Sequence, residues 1–422
     1  MDQQPRRSLS AALVAARLAL PAWRVRVGKS DRAVAGPDED VVTLAAAAAQ
    51  PLLEAVAVRP AAIVTATVSA PLVEGGITPV LAEVLDLRDG VVVQEHGGTV
   101  AAGGSALVAA AALVAAGVAP VLYLAGDTRR DDDGRPLGDG AVAALVDAPG
   151  TRGALAEVTV QDAAAGLFRD TWRVDGEPRL RTADPSLQRW APGRDRGDAV
   201  VAGPTAPLLD GVGALGCAGL LAGILDALAS AADGDELTAT VSASGLSASF
   251  AVRCLPGGAG AARRALAARD EGRRGPLPPG DADYDPYASD ARAWRERALD
   301  LRLEALRDPA SGEVLFPPPP RSELTAGLEP VRLARRGRVY THTRDHVFPY
   351  GAPLSTAVVE LDGGGRFYGQ VADGLDVEIG QEVELVLRRL HRGGGVPQYF
   401  WKIAPRARAG VREEGAGHAD RR

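Results

Sequence analysis

The stretch HGGTVAAGGSALVAAAALVAAG, His96 to Gly117, runs a glycine-rich turn straight into an apolar helix. Such a turn is a common seat for a nucleophile, because the positive end of the helix dipole stabilises a developing anion. The residue at that seat is Val100, which has no ionisable group. Its neighbour Thr99 offers a hydroxyl, a poor nucleophile without an activating base. Cys217, in GALGCAGLLAGILDALA, occupies a second glycine turn ahead of an apolar helix, where a low-pKa thiolate is physically reasonable. Its other reading is a small buried residue under the helix, the commoner fate of a free cysteine. Glu74, in PLVEGGI, is either a general base or a solvated loop carboxylate, and His96 either a proton carrier or a structural residue beside a glycine loop. Arg335, Arg336 and Arg338 form a basic run suited to a phosphate or to plain solvation.

The elements around these residues follow from hydrophobic pattern. Up to about residue 255, β-rich runs such as AAIVTATVSA, PVLYLAGD and ELTATVSASGLSASFAVRC alternate with Ala-rich helical runs such as VVTLAAAAAQPLLEAVA. That alternation argues a layered α/β fold. The helix after Val100 closes on Gly117, a C-terminal stop signal. The glycine-turn-helix stretches at 97–117 and 211–229 read as related halves of a duplicated unit. Residues 256–286 are rich in Gly, Pro and charge and read as a linker. From 287, a helical run SDARAWRERALDLRLEAL precedes five short strand runs separated by Gly/Asp turns, the pattern of a small barrel. The charged tail 407–422 reads as disordered.

Composition narrows the function. The 422 residues are 46% hydrophobic but only 4% aromatic, so the cores must be layers of Ala, Val and Leu. A net charge of −7 argues against nucleic acid as the main partner. Two cysteines, Cys217 and Cys254, exclude a disulfide framework and a four-cysteine zinc site and favour a reducing cytosol. The N-terminal run SLSAALVAARLAL, after two arginines, has some look of a secretory leader, but Arg17 interrupts it and RVRVGK continues it as a strand. No segment reads as a membrane span.

Four stretches resemble the thiolase superfamily, closest to hydroxymethylglutaryl-CoA synthases and ketoacyl synthases of type III. They are VGKSDRAVAGPDEDVVTLAAAAAQPLLEA, IVTATVSAPLVEGGITPVLAEVLDL, GGTVAAGGSALVAAAALVAAGVAPVLYLAGD and GALGCAGLLAGILDALASAADGDELTATVSASGLSASFAV. Together they span roughly half the chain. In that family the nucleophile is a cysteine seven residues before the AL of the helix, and counting back from Leu107 lands on Val100. The family's glycine frame is kept at Gly97, Gly98, Gly103 and Gly104. Its histidine is not, because residues 97 to 341 contain none. The family's asparagine position falls near Ala214, Ser242 stands where thiolases place a second cysteine, and Glu74 falls near the synthases' general-base glutamate. Thiolase-fold aldolases without the cysteine use a tyrosine, but Tyr123 lies inside an apolar strand run and reads as core.

Residues 287–406 resemble a second family, the zinc-ribbon plus OB-fold proteins associated with thiolases and acyl-CoA. RRGRVYTHT, APLSTAVVELDGGGRFYGQV and VEIGQEVELVLRRL carry the OB part. The ribbon's cysteine pairs are missing, since no cysteine follows Cys254, so no zinc is expected; FPPPP reads as a rigid connector. OB-folds also bind single strands through aromatic platforms, and Tyr340, His342, Phe367, Tyr368, Tyr399, Phe400 and Trp401 are available, though alternation assigns many of them to a barrel core.

The expectation is therefore an α/β, thiolase-like, layered α-β-α-β-α domain over residues 1–255, a linker over 256–286, and a region over 287–406 with an N-terminal helix, a metal-less ribbon remnant and a small all-β OB-fold barrel. The resemblance implies a non-catalytic, cytoplasmic, acyl-CoA-associated subunit that forms a homodimer or a heteromer with a thiolase-fold enzyme. CoA or acyl-CoA would be its ligand, with no nucleic acid and no membrane. The competing expectation is an active acyltransferase or C–C bond enzyme using Glu74, His96 or Cys217 in a rearranged site.

Overall fold

The structure is a computed structural model that describes residues 9–87, 90–167, 169–174, 180–183, 200–204, 209–278, 290–319, 327–349 and 353–406. It divides into two compact units. The first takes Met1–Arg302 with Leu387–Phe400, and the second takes Leu303–Val386 with Trp401–Arg422.

In the first unit the strands are β1 (Ser10–Ala19), β2 (Trp23–Val27), β3 (Ser30–Val34), β4 (Ala62–Ala66), β5 (Val92–His96), β6 (Val121–Asp127), β7 (Gly140–Asp147), β8 (Ala156–Ala165), β9 (Thr171–Trp172), β10 (Arg181–Thr182), β11 (Val200–Ala202), β12 (Glu236–Ala243), β13 (Leu246–Cys254) and β14 (Arg273–Arg274). The helices are α1 (Val41–Val56), α2 (Thr78–Val84), α3 (Ala102–Ala115), α4 (Gly219–Ala229), α5 (Gly258–Ala265) and α6 (Asp290–Asp300).

Nine strands form one sheet in the order β11-β12-β13-β8-β1-β7-β6-β4-β5. The order is mirrored about the β1–β8 seam. On one side β7 and β6 run antiparallel and β6, β4 and β5 parallel; on the other β13 and β12 run antiparallel and β12 and β11 parallel. The run SAALVAARLA is thus a strand at the centre of the sheet, with Ala12 and Leu13 fully buried. Strands covered on both faces read as near-continuous apolar runs, which is why this one also has the look of a leader.

Helices α3 and α4 pack together, and α3 touches strands of both halves of the sheet. Glycine makes the approach possible: a Cβ on Gly103 would lie 2.1 Å from the Cys217 carbonyl oxygen, and one on Gly104 would lie 2.4 Å from Val241 Cγ1. Helix α1 starts with a capping box. The Asp40 carboxylate accepts from the Val42 and Thr43 N–H groups, and the Thr43 hydroxyl accepts from the Asp40 N–H.

Two boundaries differ from the sequence reading. The expected linker 256–286 is built into the first unit from its start: α5 buries Ala262, Ala265 and Leu266 in the same apolar cluster as α4, and β14 pairs with β2. Its GAGAARRALAARD pattern has an apolar face at helical spacing that the surrounding Gly and Arg residues disguise. Residues 279–286 lie outside the described set, as does the expected disordered tail 407–422. The helix expected from 287 ends at Asp300, still within the first unit, and Glu304 begins a strand.

Two further sheets are formed by residues 303–406. The strands β15 (Glu304–Arg307), β16 (Val314–Leu315) and β17 (Glu329–Arg332) form a small antiparallel sheet where the ribbon remnant was expected. The five expected strands follow as β18 (Arg336–Asp345), β19 (Leu354–Leu361), β20 (Arg366–Gln370), β21 (Glu382–Gly393) and β22 (Val396–Pro405), in the order β20-β19-β18-β21-β22. A parallel bridge between Val371 and Ile403 joins the two ends of this sheet, as a barrel requires. Its core holds Val339, Val359, Phe367, Val383, Leu385 and Trp401. Phe316 of the FPPPP run stacks on Phe367 at 6.1 Å between ring centroids. Lys402, one of two lysines in the chain, is fully buried and bonded to Asp373 at 2.7 Å.

Candidate functional site

The glycine turn 97–101 delivers Val100 to the start of α3, where it is 4% exposed. A cavity of about 210 Å³ opens against it. Gly98, Thr99 and Val100 form one wall. Arg129 and Arg130, just past β6, and Thr171, Trp172 and Arg173, at and after β9, supply the rest, with Val68, Leu180 and Ser244 completing it. Three arginines and three hydroxyl-bearing residues thus line the space, and among the described residues no Asp or Glu does.

Each arginine is anchored. Arg129, 3% exposed, donates through Nη1 to the Pro204 carbonyl at 2.8 Å, and burial pulls its pKa down, opposed by the charge of Asp127. Arg130 donates to both oxygens of buried Asp139 at 2.9 and 3.0 Å. Arg173 donates to the Val68 carbonyl.

Behind the cavity sits Asp127, at the end of β6 and fully buried. Its Oδ1 accepts from the Thr67 hydroxyl, the Val68 N–H and the Ser69 hydroxyl at 2.9, 2.7 and 2.9 Å. Its Oδ2 accepts from the Cys217 N–H at 2.8 Å. One carboxylate therefore fixes the loop after β4 and the turn before α4. Gly216, at φ +58, admits it, since a Cβ there would lie 2.2 Å from Oδ2. Sequence reading missed Asp127 and the cavity arginines. The available signal was AGDTRR, an abrupt charge cluster at the end of a wholly apolar strand run.

The expected site residues are not brought together. Cys217 is fully buried, and its thiol donates to the Thr99 carbonyl at 3.9 Å. Burial, then the Asp127 charge, pushes its pKa well above the ordinary 9.0, which disfavours the helix-end thiolate and accords with the other sequence reading, a small buried residue under the helix. Glu74 is exposed in the loop before α2; Glu95, not Glu74, accepts from the Ile77 and Thr78 N–H groups at the start of that helix. His96 ends β5, burial pulls its pKa down, and among the described residues its Nε2 has no hydrogen-bond partner. None of the three lines the cavity. Ser242 and Ala214 are buried, and Tyr123 is a core residue whose hydroxyl donates to the Gly103 carbonyl at 3.0 Å.

The basic run of the second unit is engaged internally. Arg338 pairs with Glu382 at 2.6 Å, and Arg335 stands 5.6 Å over the Trp401 ring; Arg336 is exposed. Phe367 and Trp401 are core residues, while Tyr340 and Tyr368 are exposed, with Arg366 lying 4.2 Å over the Tyr340 ring. Among the described residues, the one cluster of potential metal ligands is the carboxylate turn Asp131–Asp133. No helix of the described residues is long and apolar enough to cross a membrane.

The family model for the ChsH2 C-terminal OB-fold domain matches residues 330–388. A DUF35 domain-containing scaffold protein of Methanocaldococcus jannaschii is 35% identical over 125 residues, 27% of this chain and 89% of the relative. Among solved structures, MvaS in complex with 3-hydroxy-3-methylglutaryl coenzyme A superposes with a TM-score of 0.52 at 18% identity, covering 66% of this chain and 95% of that one. PksG, an HMG-CoA synthase from Bacillus subtilis, gives a TM-score of 0.51 at 14% identity, covering 86% and 100%. The fold is thiolase-like with a C-terminal OB-fold domain.

Proposed function

Starting from a chain that belongs to the DUF35-domain protein family, we propose that it is a non-catalytic, acyl-CoA-associated subunit that works beside a thiolase or synthase. The observation that carries this reading is the turn before α3. It keeps the glycine frame of a nucleophile seat and a cavity in front of it, and it presents Val100. The nearest thiol, Cys217, is spent on a buried hydrogen bond to the turn's own backbone. The name of the archaeal relative, a scaffold protein, points the same way.

The subunit pairs through β5, either with a second copy or with an active thiolase-fold enzyme. This strand is one of the two edges of the nine-stranded sheet, and Val92 and Val93 on it are 39% and 51% exposed. An exposed apolar edge strand is a template for pairing with another chain.

Calorimetric titration of the purified chain with CoA, acetyl-CoA and a longer acyl-CoA tests the ligand, and turnover of acetyl-CoA or acetoacetyl-CoA with a Cys217→Ala control tests the chemistry. The expected result is micromolar binding without turnover. Turnover lost in Cys217→Ala would establish the competing acyltransferase reading, and absence of binding to all three would remove acyl-CoA from the proposal.

A further inference from the structure

We propose that the cavity in front of Val100 is a receptor for a short organic carboxylate, held by its head group at the arginines and by its carbon chain at the apolar wall. The proposal goes beyond the subunit reading and does not rest on it.

Size sets the first limit. A cavity of about 210 Å³ accepts a chain of a few carbons. Charge sets the second. Arg129, Arg130 and Arg173 are on the wall, and among the described residues no Asp or Glu is. Of the acidic groups behind them, Asp127 is taken up by backbone and hydroxyl donors of two loops, while Asp139 pairs with Arg130 and accepts from the Ala35 and Arg129 N–H groups, which leaves the head group to Arg129 and Arg173. Asp170, beneath the β12–β13 turn, accepts from the Ser244 N–H at 2.7 Å.

Geometry sets the third limit. A guanidinium carries five N–H donors in a planar fork. Arg129 and Arg173 each give one nitrogen to a backbone carbonyl, at Pro204 and Val68, which fixes the fork and leaves donors for a planar two-oxygen acceptor. Arg129 is almost wholly buried, so a head group there is shielded from water, where charged hydrogen bonds are strongest. Val68, Val100, Leu180 and the Trp172 indole line the same space and suit a hydrocarbon body. Inorganic phosphate shares the head-group chemistry but has no use for that apolar wall.

The test is calorimetric titration of the full chain, at fixed ionic strength, with pentanoate, glutarate, pentanamide and inorganic phosphate. We expect pentanoate or glutarate to bind, and pentanamide and phosphate to bind at least about tenfold more weakly. Arg173→Gln, at an exposed position, is expected to weaken carboxylate binding by about tenfold while leaving the melting temperature of the free protein unchanged. Val100→Phe, which fills the cavity, is expected to abolish binding, with folding checked by the same melt. Pentanamide or phosphate binding as tightly as the carboxylates would overturn the proposal, as would an unaltered Arg173→Gln affinity or no carboxylate binding at millimolar concentration. These outcomes are read without any CoA thioester, so failure here leaves the acyl-CoA result standing, and the reverse.

Discussion

At the scale of residues, reactivity and anchoring fall to different side chains. Cys217 and Cys254 are both buried, and burial raises both thiol pKa values. Native protein is therefore expected to react only slowly with a thiol-specific disulfide reagent at neutral pH, with both cysteines labelled once denaturant is added. Fast stoichiometric labelling of Cys217 in the native state would show a thiolate that this geometry does not support. Asp127, by contrast, accepts four hydrogen bonds in a fully buried position. Its replacement by alanine strands those donors and is expected to cost about 3 kcal/mol or more in chemical denaturation. The glycine turn 97–101 and the helix after it were legible in sequence because glycines punctuate the turn and an apolar run follows. Asp127 and Arg173 were not, because they sit at the ends of strands far apart in sequence, and no spacing rule joins residue 68 to 127, 173 and 217.

Helices and strands show the cost of close packing. Gly103 of α3 lies against the Cys217 carbonyl, a backbone atom that cannot swing aside. Gly103→Ala is expected to cost about 3 kcal/mol, at the upper end for overpacking, and a melt that matches the native protein would show the two helices free to separate. At β5 the stake is association and not folding. Val93→Lys puts a charge on an exposed edge position, so it is expected to leave the melt unchanged and to convert any dimer seen by sedimentation to monomer. A dimer that survives Val93→Lys would place the interface elsewhere. The strand and helix alternation was readable from apolar periodicity. The extent of the first domain was not, because α5 carries its apolar face in a stretch whose Gly, Arg and Pro content imitates a linker.

For the whole molecule, buried carboxyls set the response to pH. Burial raises the pKa values of Glu39, Asp40 and Asp139, and burial followed by the Glu296 charge raises Asp300 from its ordinary 3.8 to about 6. A carboxyl whose folded pKa exceeds its unfolded one contributes stability that is complete below the unfolded value and lost as pH rises through the folded value. For Asp300 that window runs from 3.8 to about 6. Asp31 and Asp308 shift the other way and act below 3.8. The melting temperature is thus expected to fall as pH is raised from about 4 to about 7; a steady rise over that range would mean the buried carboxyls are better paired than their surroundings imply. The mirrored strand order was only partly legible at this scale. The two glycine turns suggested a duplication, but which strands meet at the seam depends on long-range pairing that local pattern does not encode.

The clasp by Asp127 has one more consequence, for how such a chain can change over time. The loop after β4 and the turn before α4 are held by a carboxylate that takes no part in the cavity wall, and the turn before α3 brings residue 100 to that wall as a buried apolar side chain. The frame therefore places almost no demand on the chemistry of that position beyond size. A lineage can exchange a reactive side chain for an inert one, or the reverse, in a single substitution and inherit the same backbone either way.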